Sequence, residues 1–160
     1  MQRSGALCAS WFNSFAALLL MLLLPSTTLA GPSSPTLGEA GQAVDDFHAA
    51  LEKGDGEQAT SLLDDAVQIY EQGWVEHSKA EYAKEHLPSD LKFSQATTST
   101  QTSRSGVLLG DLAYVSSEGR TTGTFEGKPV DSITLETMVL RRSAGGWRIV
   151  HVHWSSRKAK

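Results

Sequence analysis

The chain has 160 residues, 40% of them apolar, which is enough for one domain with a modest core. Its net charge is −4, with 18 acidic against 14 basic residues, so the basic surface that binds nucleic acid or anionic membranes is not predicted. Cys8 is the single cysteine, which excludes a disulfide within this sequence.

Residues 1–30 have the pattern of a secretory signal peptide. Arg3 supplies the positive start, residues 15–24 form an unbroken apolar run, and the segment closes on Thr28-Leu29-Ala30. This run is about half of the roughly 20 apolar residues that span a bilayer, so we expect cleavage after Ala30 and no stable membrane anchor afterwards. Because the remainder has no cysteine, the sequence favours an exported, periplasmic protein over a small disulfide-stapled one.

Behind this signal peptide the sequence predicts a single domain. Residues 31–38 are interpreted as a flexible lead-in, 39–157 as the domain and 158–160 as a tail. Without the leader about 35% of the residues are apolar, and 13 basic against 18 acidic residues give a net charge of −5, since Arg3 is the only charged residue before position 31.

Three helices open the predicted domain. Apolar residues at three- and four-residue steps, from Ala43 to Leu51, predict a first helix that ends at Lys53-Gly54. Asp55 is an acidic cap for a short second helix, and residues 66–70 alternate as in a strand. Ser78-Lys-Ala-Glu81 is a capping box that begins a third helix, which Pro88 interrupts.

After Phe93 the sequence predicts strands with glycine at the turns. The predicted strands cover residues 94–105, 112–117, 121–125, 130–142 and 147–155. Residues 97–105 are polar on both faces, so a loop remains an alternative there. Helices followed by strands predict an α+β fold, in which the helices pack on one face of a curved antiparallel sheet.

The last two strands allow a prediction of register, because the turn from Arg142 to Trp147 closes with a two- or a four-residue loop. Either loop puts His153 opposite Glu136 or Met138, so we expect a His153–Glu136 pair. One face would carry Glu136, Met138, Leu140, Ile149, His151 and His153, and the other Leu135, Thr137, Val139, Val150, Val152 and Trp154. Both faces are partly apolar, which favours helices on one and a partner subunit, in a homodimer, on the other.

Four segments resemble the nuclear transport factor 2-like superfamily, and within it the SnoaL-like domains of exported bacterial proteins. They are Tyr70-Glu-Gln-Gly-Trp, Glu76-His-Ser-Lys-Ala-Glu-Tyr-Ala-Lys-Glu-His-Leu-Pro-Ser-Asp90, Glu136-Thr-Met-Val-Leu140 and Gly146-Trp-Arg-Ile-Val-His-Val-His-Trp-Ser155. The resemblance spans residues 39–157. It implies a cone-shaped, cystatin-like sheet wrapped around the N-terminal helices, a cavity at the open end that binds a small molecule, and frequent dimerisation through the sheet. No catalytic motif of the superfamily's enzymes matches, so no catalytic residue is transferred.

Seven polar residues are candidates for lining such a cavity: Glu71, Tyr82, His86, Asp90, Glu136, His151 and His153. A histidine beside a carboxylate suits acid–base chemistry near neutral pH, of the isomerase or lyase type. Our leading hypothesis is therefore an exported small-molecule-binding domain whose chemistry, if it has any, is acid–base. The alternative is a non-enzymatic dimerisation or binding module in which the His–Glu cluster is structural. The sequence leaves the choice between enzyme and module open.

A periplasmic metal-binding protein is a third hypothesis. His151 and His153 lie two apart on a predicted strand, and His86 and Asp90 lie one helical turn apart. No established ligand motif is present, so we predict no metal and no cofactor. The histidines at positions 48 and 77 are interpreted as surface or packing residues, and the tryptophans at 74, 147 and 154 as core or interface aromatics.

Overall fold

The computed structural model describes residues 37–160. The predicted signal peptide, Cys8 and nearly all of the lead-in lie outside the described residues. Within the described range, no helix is both long and apolar enough to cross a membrane.

The first helix, α1 (Gly38–Lys53), confirms the periodicity in the sequence. Its buried side chains follow the three- and four-residue steps of one helical face, and Val44 and Phe47 are fully buried. Gly54 ends the helix with φ of 75°, and its N–H donates to the carbonyls of Ala50 and Leu51. This is the stop that Lys53-Gly54 predicted.

Side-chain caps begin the next two helices, as expected. In α2 (Gly56–Ser61) the Asp55 carboxylate accepts from the N–H of Gln58. In α3 (Lys79–Glu85) the Ser78 hydroxyl accepts from the N–H of Glu81 at 3.2 Å. The second half of the capping box differs from the prediction, because the Glu81 carboxylate accepts from the N–H of His77 rather than of Ser78.

A fourth helix, α4 (Leu87–Ala96), corrects the prediction that three helices precede the strands. Pro88 does not simply end α3, because it lies in the first turn of α4, where a residue without an N–H loses no helical hydrogen bond. The N–H groups of Ser89 and Asp90 both donate to the carbonyl of His86, so the two helices follow one another without a loop.

Six strands form one curved sheet in the order β2-β1-β6-β5-β4-β3. They are β1 (Leu63–Glu71), β2 (Trp74–Glu76), β3 (Thr97–Leu109), β4 (Leu112–Phe125), β5 (Lys128–Ser143) and β6 (Gly146–Lys158). The polar segment 97–105 is strand, and the two strands predicted over 112–125 are one. Gly119 lies where β3 and β4 approach closely, since a Cβ at that position would lie 3.0 Å from the carbonyl oxygen of Thr100.

Two further features of the sheet correct the sequence prediction. β2 was not predicted, because three residues are too few to show alternation. The sheet is not wholly antiparallel either, since β1 runs parallel to β6. Pairing between strands that are far apart in the chain leaves no local signal, so only the folded chain reveals it.

The face of the sheet that carries Met138, Leu140 and Ile149 packs against the buried side of α1, and we call it the inner face. The opposite, outer face exposes large apolar side chains, among them Tyr70, Tyr114 and Leu135. Apolar residues on both faces agree with the prediction that neither is purely polar.

A β-bulge at Val150 overturns the predicted register of the last hairpin. The turn is a two-residue loop, one of the two predicted lengths, since Ser143 pairs with Gly146. Leu140 then pairs with Ile149 but Val139 pairs with His151, so Val150 is an extra residue. Because side chains alternate between faces, this one residue moves Val152 and Trp154 to the inner face and His151 and His153 to the outer face.

Candidate functional site

A row of side chains crosses the inner face of the sheet at the level of Trp154. In the register, Trp154 is the partner of Glu71 on β1 and of Glu136 on β5. The row continues through Ser117 on β4 to Arg104 on β3. Neighbouring strands therefore bring together residues that are far apart in the sequence.

One side of this row holds a cluster that we call the His48 cluster: His48, Arg104, Glu136 and Trp154. Glu136 is only 9% exposed. Its Oε2 lies 2.7 Å from Nε2 of His48 on α1 and accepts at 2.8 Å from Nε1 of Trp154. The Trp154 ring also stacks on Phe47, with 6.2 Å between centroids, so packing fixes the indole that binds the carboxylate.

Arg104 gives α1 a second polar link to the sheet. Its Nη1 donates to the carboxylate of Asp45 at 2.6 Å, and its Nε donates to the hydroxyl of Ser117 at 3.2 Å. Asp45 and His48 lie one turn apart on α1 and thus on the same side of the helix. The two links together fix the position of the His48 ring over the sheet.

The electrostatics of the His48 cluster favour an ion pair. Burial opposes a charge on His48, but the hydrogen bond to Glu136 and the charge of that carboxylate raise the pKa of His48 above 6.5. Burial also opposes ionisation of Glu136, yet the bonds from His48 and Trp154 lower the pKa of this carboxyl below 4.5. Glu136 is therefore a carboxylate near neutral pH, and the His48 side chain, 40% exposed, can take up and release a proton.

The other side of the row holds the Tyr82 cluster: Glu71, Glu76, Tyr82, His86 and Asp90. The buried Tyr82 hydroxyl donates to Oδ2 of Asp90 at 2.8 Å. Nδ1 of His86 contacts Oε1 of the buried Glu76. The edge of the exposed Trp74 ring meets the His86 ring.

Burial also shifts the pKa values of three members of the Tyr82 cluster, Glu71, Tyr82 and Asp90. It raises the pKa of Glu71, and the nearby Asp90 raises that pKa further. It raises the pKa of Asp90 as well, against the lowering effect of the hydrogen bond from Tyr82. Burial and the Asp90 carboxylate raise the pKa of Tyr82 far above its usual range, so Tyr82 remains a neutral donor.

The structure divides the seven sequence candidates between the two faces of the sheet. Five belong to the clusters beside the inner face: Glu71, Tyr82, His86, Asp90 and Glu136. His151 and His153 lie on the outer face, where both rings meet Tyr70 edge-on. His153 pairs with Thr137, so the predicted His153–Glu136 pair is wrong, and the bulge at Val150 is the reason.

His48 is the candidate site residue that the sequence interpretation missed. It was assigned to surface or packing, yet it is the histidine that binds Glu136, 88 residues further along the chain. The signal was its position on α1, four residues after Val44 and three before Leu51, at the side of the buried stripe.

A metal site and an enclosed ligand cavity have less support in the described residues. Between positions 37 and 160, no three His, Cys, Asp or Glu side chains are placed to hold a metal ion. Two shallow hollows of about 340 and 290 Å³ lie on the surface, and none of the seven candidates lines either. The cavity at the open end of the cone therefore stays a prediction.

Comparison with known proteins identifies the family. The model of the SnoaL-like domain matches residues 41–157, whereas no curated protein matches the chain. A candidate ketosteroid isomerase from Shewanella frigidimarina is 42% identical, with a TM-score of 0.70, and the match covers 73% of this chain and 94% of that one.

Two more distant structures share the fold. A candidate dehydratase of the NTF2-like family from Streptomyces avermitilis is 24% identical, with a TM-score of 0.66 over 76% of this chain and 95% of that one. The CaMKII hub of S. rosetta is 21% identical, with a TM-score of 0.63 over 79% of this chain and 100% of the hub. The chain belongs to the SnoaL-like domain family of the nuclear transport factor 2-like superfamily.

Proposed function

We propose that this domain binds a small molecule against the inner face of the sheet, and that its chemistry is acid–base chemistry at His48. The observation that carries the proposal is the half-exposed His48 ring, hydrogen-bonded at 2.7 Å to the buried, ionised Glu136. A histidine oriented by a buried carboxylate is suited to act as a general base. The 42% identity to a candidate ketosteroid isomerase supports this choice, because such an isomerase moves protons.

The geometry assigns a role to each atom of the pair. In the neutral form of His48, Glu136 Oε2 accepts the proton on Nε2, which leaves the lone pair of Nδ1 to take a proton from a ligand. The imidazolium that forms is stabilised by the Glu136 carboxylate, and it can return the proton to another atom of the ligand. Trp154 holds the same carboxylate oxygen and so keeps the pair aligned.

Isomerisation of a β,γ-unsaturated ketosteroid to its conjugated α,β-isomer, followed by the absorbance of the product, tests this proposal. His48→Gln is expected to lower the rate by at least about 100-fold, the lower end of what a general base contributes. His77→Gln is the matched control, because His77 is exposed just before α3, outside both clusters. Equal rates for H48Q and the unchanged protein, or no turnover by the unchanged protein, would contradict the acid–base part.

The second candidate function is a non-enzymatic module that assembles through the outer face. The observation that favours it is the set of exposed apolar side chains on the central strands of that face, including Tyr114 on β4 and Leu135 on β5. We propose that a second copy of this chain covers them, in a homodimer. Assembly of this kind is compatible with a small-molecule site, since the two clusters lie beside the opposite face.

We also propose that the protein is exported to the periplasm with residues 1–30 removed. The support is the sequence alone: Arg3, the apolar run at 15–24 and the Thr28-Leu29-Ala30 ending. The acidic, cysteine-free remainder fits an exported domain that is held together by its core.

A further inference from the structure

The bulge at Val150 gives the outer face of the sheet a pair of histidines, His151 and His153. Beyond the bulge the pairing of β6 with β5 is regular, so the two side chains point the same way. Residues two apart on a strand lie about 7 Å apart, which makes the two rings neighbours. His153 is exposed and His151 is partly exposed, so neither residue is buried in the chain.

Uncharged side chains of β1 and β5 surround the pair. They are Gln68, Tyr70, Thr137 and Val139. Both histidine rings meet the Tyr70 ring edge-on, with centroids 5.1 and 6.5 Å from it. The carboxylates that bind histidines within residues 37–160 bind His48 and His86, not these two. The outer-face histidines therefore have no anionic partner in that part of the chain.

The chemistry of the pair suits a transition-metal ion. Burial and the neighbouring His153 lower the pKa of His151 below 6.5. A neutral imidazole keeps one nitrogen lone pair free, and this is the form that binds a metal. Imidazole nitrogens are ligands that Zn²⁺ accepts readily, whereas Mg²⁺ and Ca²⁺ prefer oxygen.

One chain supplies only half of a zinc site. Within the described range no third His, Cys, Asp or Glu joins the pair, whereas a structural zinc ion takes four ligands. The pair lies on β6, one of the two central strands of the sheet, beside the exposed Tyr70. In a twofold homodimer the same surface of each copy meets across the axis, so a second copy can bring an identical pair.

We infer that His151 and His153 bind a zinc ion together with the same two residues of a second copy, so that four imidazoles form a tetrahedral site across the outer face. The inference rests on the proposed homodimer and names the group that links its two copies. The exposed apolar side chains supply contact area, and the four nitrogen–zinc bonds fix how the two sheets are oriented.

Zinc titration of the intact protein, prepared without a histidine tag and freed of metal with a chelator, tests the inference. At about pH 7.5, above the ordinary pKa of histidine, calorimetry should show one zinc ion per two chains. Sedimentation equilibrium should show that zinc lowers the dissociation constant of the dimer by at least about tenfold. Magnesium should change neither measurement, because it binds imidazole poorly.

A variant and its control locate the site. His153→Ala should weaken zinc binding by at least about 100-fold, the upper end of what loss of a supporting contact costs, and should abolish the effect of zinc on the dimer. His77→Ala is the matched control, because His77 is exposed just before α3, and it should bind zinc as the unchanged protein does. If H153A fails to fold, the stoichiometry of the unchanged protein still decides the matter.

One zinc ion per chain, no saturable zinc binding, or equal zinc binding by H153A and the unchanged protein would overturn the inference. The homodimer itself is tested separately, by Leu135→Asp in metal-free protein. A dimer that L135D dissociates but that zinc leaves unchanged would remove only the metal site. Zinc-dependent association of a chain that is monomeric without zinc would support the metal site and remove only the metal-free dimer.

Discussion

At the scale of single residues, Glu136 determines the character of the site. The sequence predicted that Glu136 pairs with His153 across the last hairpin, and that prediction is wrong. The partner is His48 on α1, not His153 on β6. The sequence offered five histidines, and only the packing of α1 against the sheet selects the one that reaches Glu136.

We expect the contribution of the His48–Glu136 pair to the free energy of unfolding to depend on pH in both directions. Because the pKa of His48 is raised in the folded protein, the stabilisation from its charge is complete below pH 6.5. It is lost as the pH rises through the raised pKa. Because the pKa of Glu136 is lowered in the folded protein, the stabilisation from its charge is complete above pH 4.5. It is lost as the pH falls through the lowered pKa. The pair therefore stabilises most between about pH 4.5 and 6.5.

Glu136→Gln should accordingly cost about 1 to 2 kcal/mol in that window, near the low end for hydrogen bonds to charged groups because His48 is partly exposed. Urea unfolding from acid to alkaline pH measures the difference between E136Q and the unchanged protein. The difference should shrink on both sides of the window. A difference that stays constant over the whole range would show that the loss is one of packing.

At the scale of elements, local sequence signals predicted the helix ends well. The Gly54 stop, the Asp55 cap and the Ser78 cap all lie where short-range hydrogen bonds favour them. α4 was missed because Pro88 is compatible with both the end of one helix and the first turn of the next. Local chemistry alone does not distinguish these two positions.

The Ser78 cap gives a prediction for α3. Ser78→Ala removes the acceptor of the Glu81 N–H and should lower the free energy of unfolding by about 1 kcal/mol, measured by urea denaturation. Ser89→Ala is the control, since this exposed serine in the first turn of α4 has no capping role. An equal loss in both variants would show that the serine side chain at position 78 is not a cap.

At the scale of the whole molecule, we expect the exposed apolar side chains of the outer face to form the interface of a homodimer. Leu135→Asp puts a charge among the exposed apolar side chains and should convert a homodimer to a monomer, as measured by sedimentation velocity. Gln58→Asp, a change of equal charge at an exposed position of α2, should leave the dimer intact. A protein that is monomeric without any substitution would contradict assembly through this face.

Export and removal of residues 1–30 also concern the whole chain, and intact mass measures them. The intact mass of the protein recovered from the periplasmic fraction should correspond to a chain that starts at Gly31. Ala30→Tyr should block cleavage, because a bulky residue does not fit the small-residue site, and should leave the full-length mass. The full-length mass for the unchanged protein would contradict removal of residues 1–30.

The sequence by itself determined the α+β class, the family, the caps of the early helices and the position of the last hairpin turn. These depend on short-range periodicity and on hydrogen bonds between residues a few positions apart. Only the tertiary structure decided which face His151 and His153 occupy, that β1 runs parallel to β6, and that His48 binds Glu136. The physical reason is that strand alternation has a period of two, so one bulged residue exchanges the two faces, while contacts between distant segments leave no local pattern.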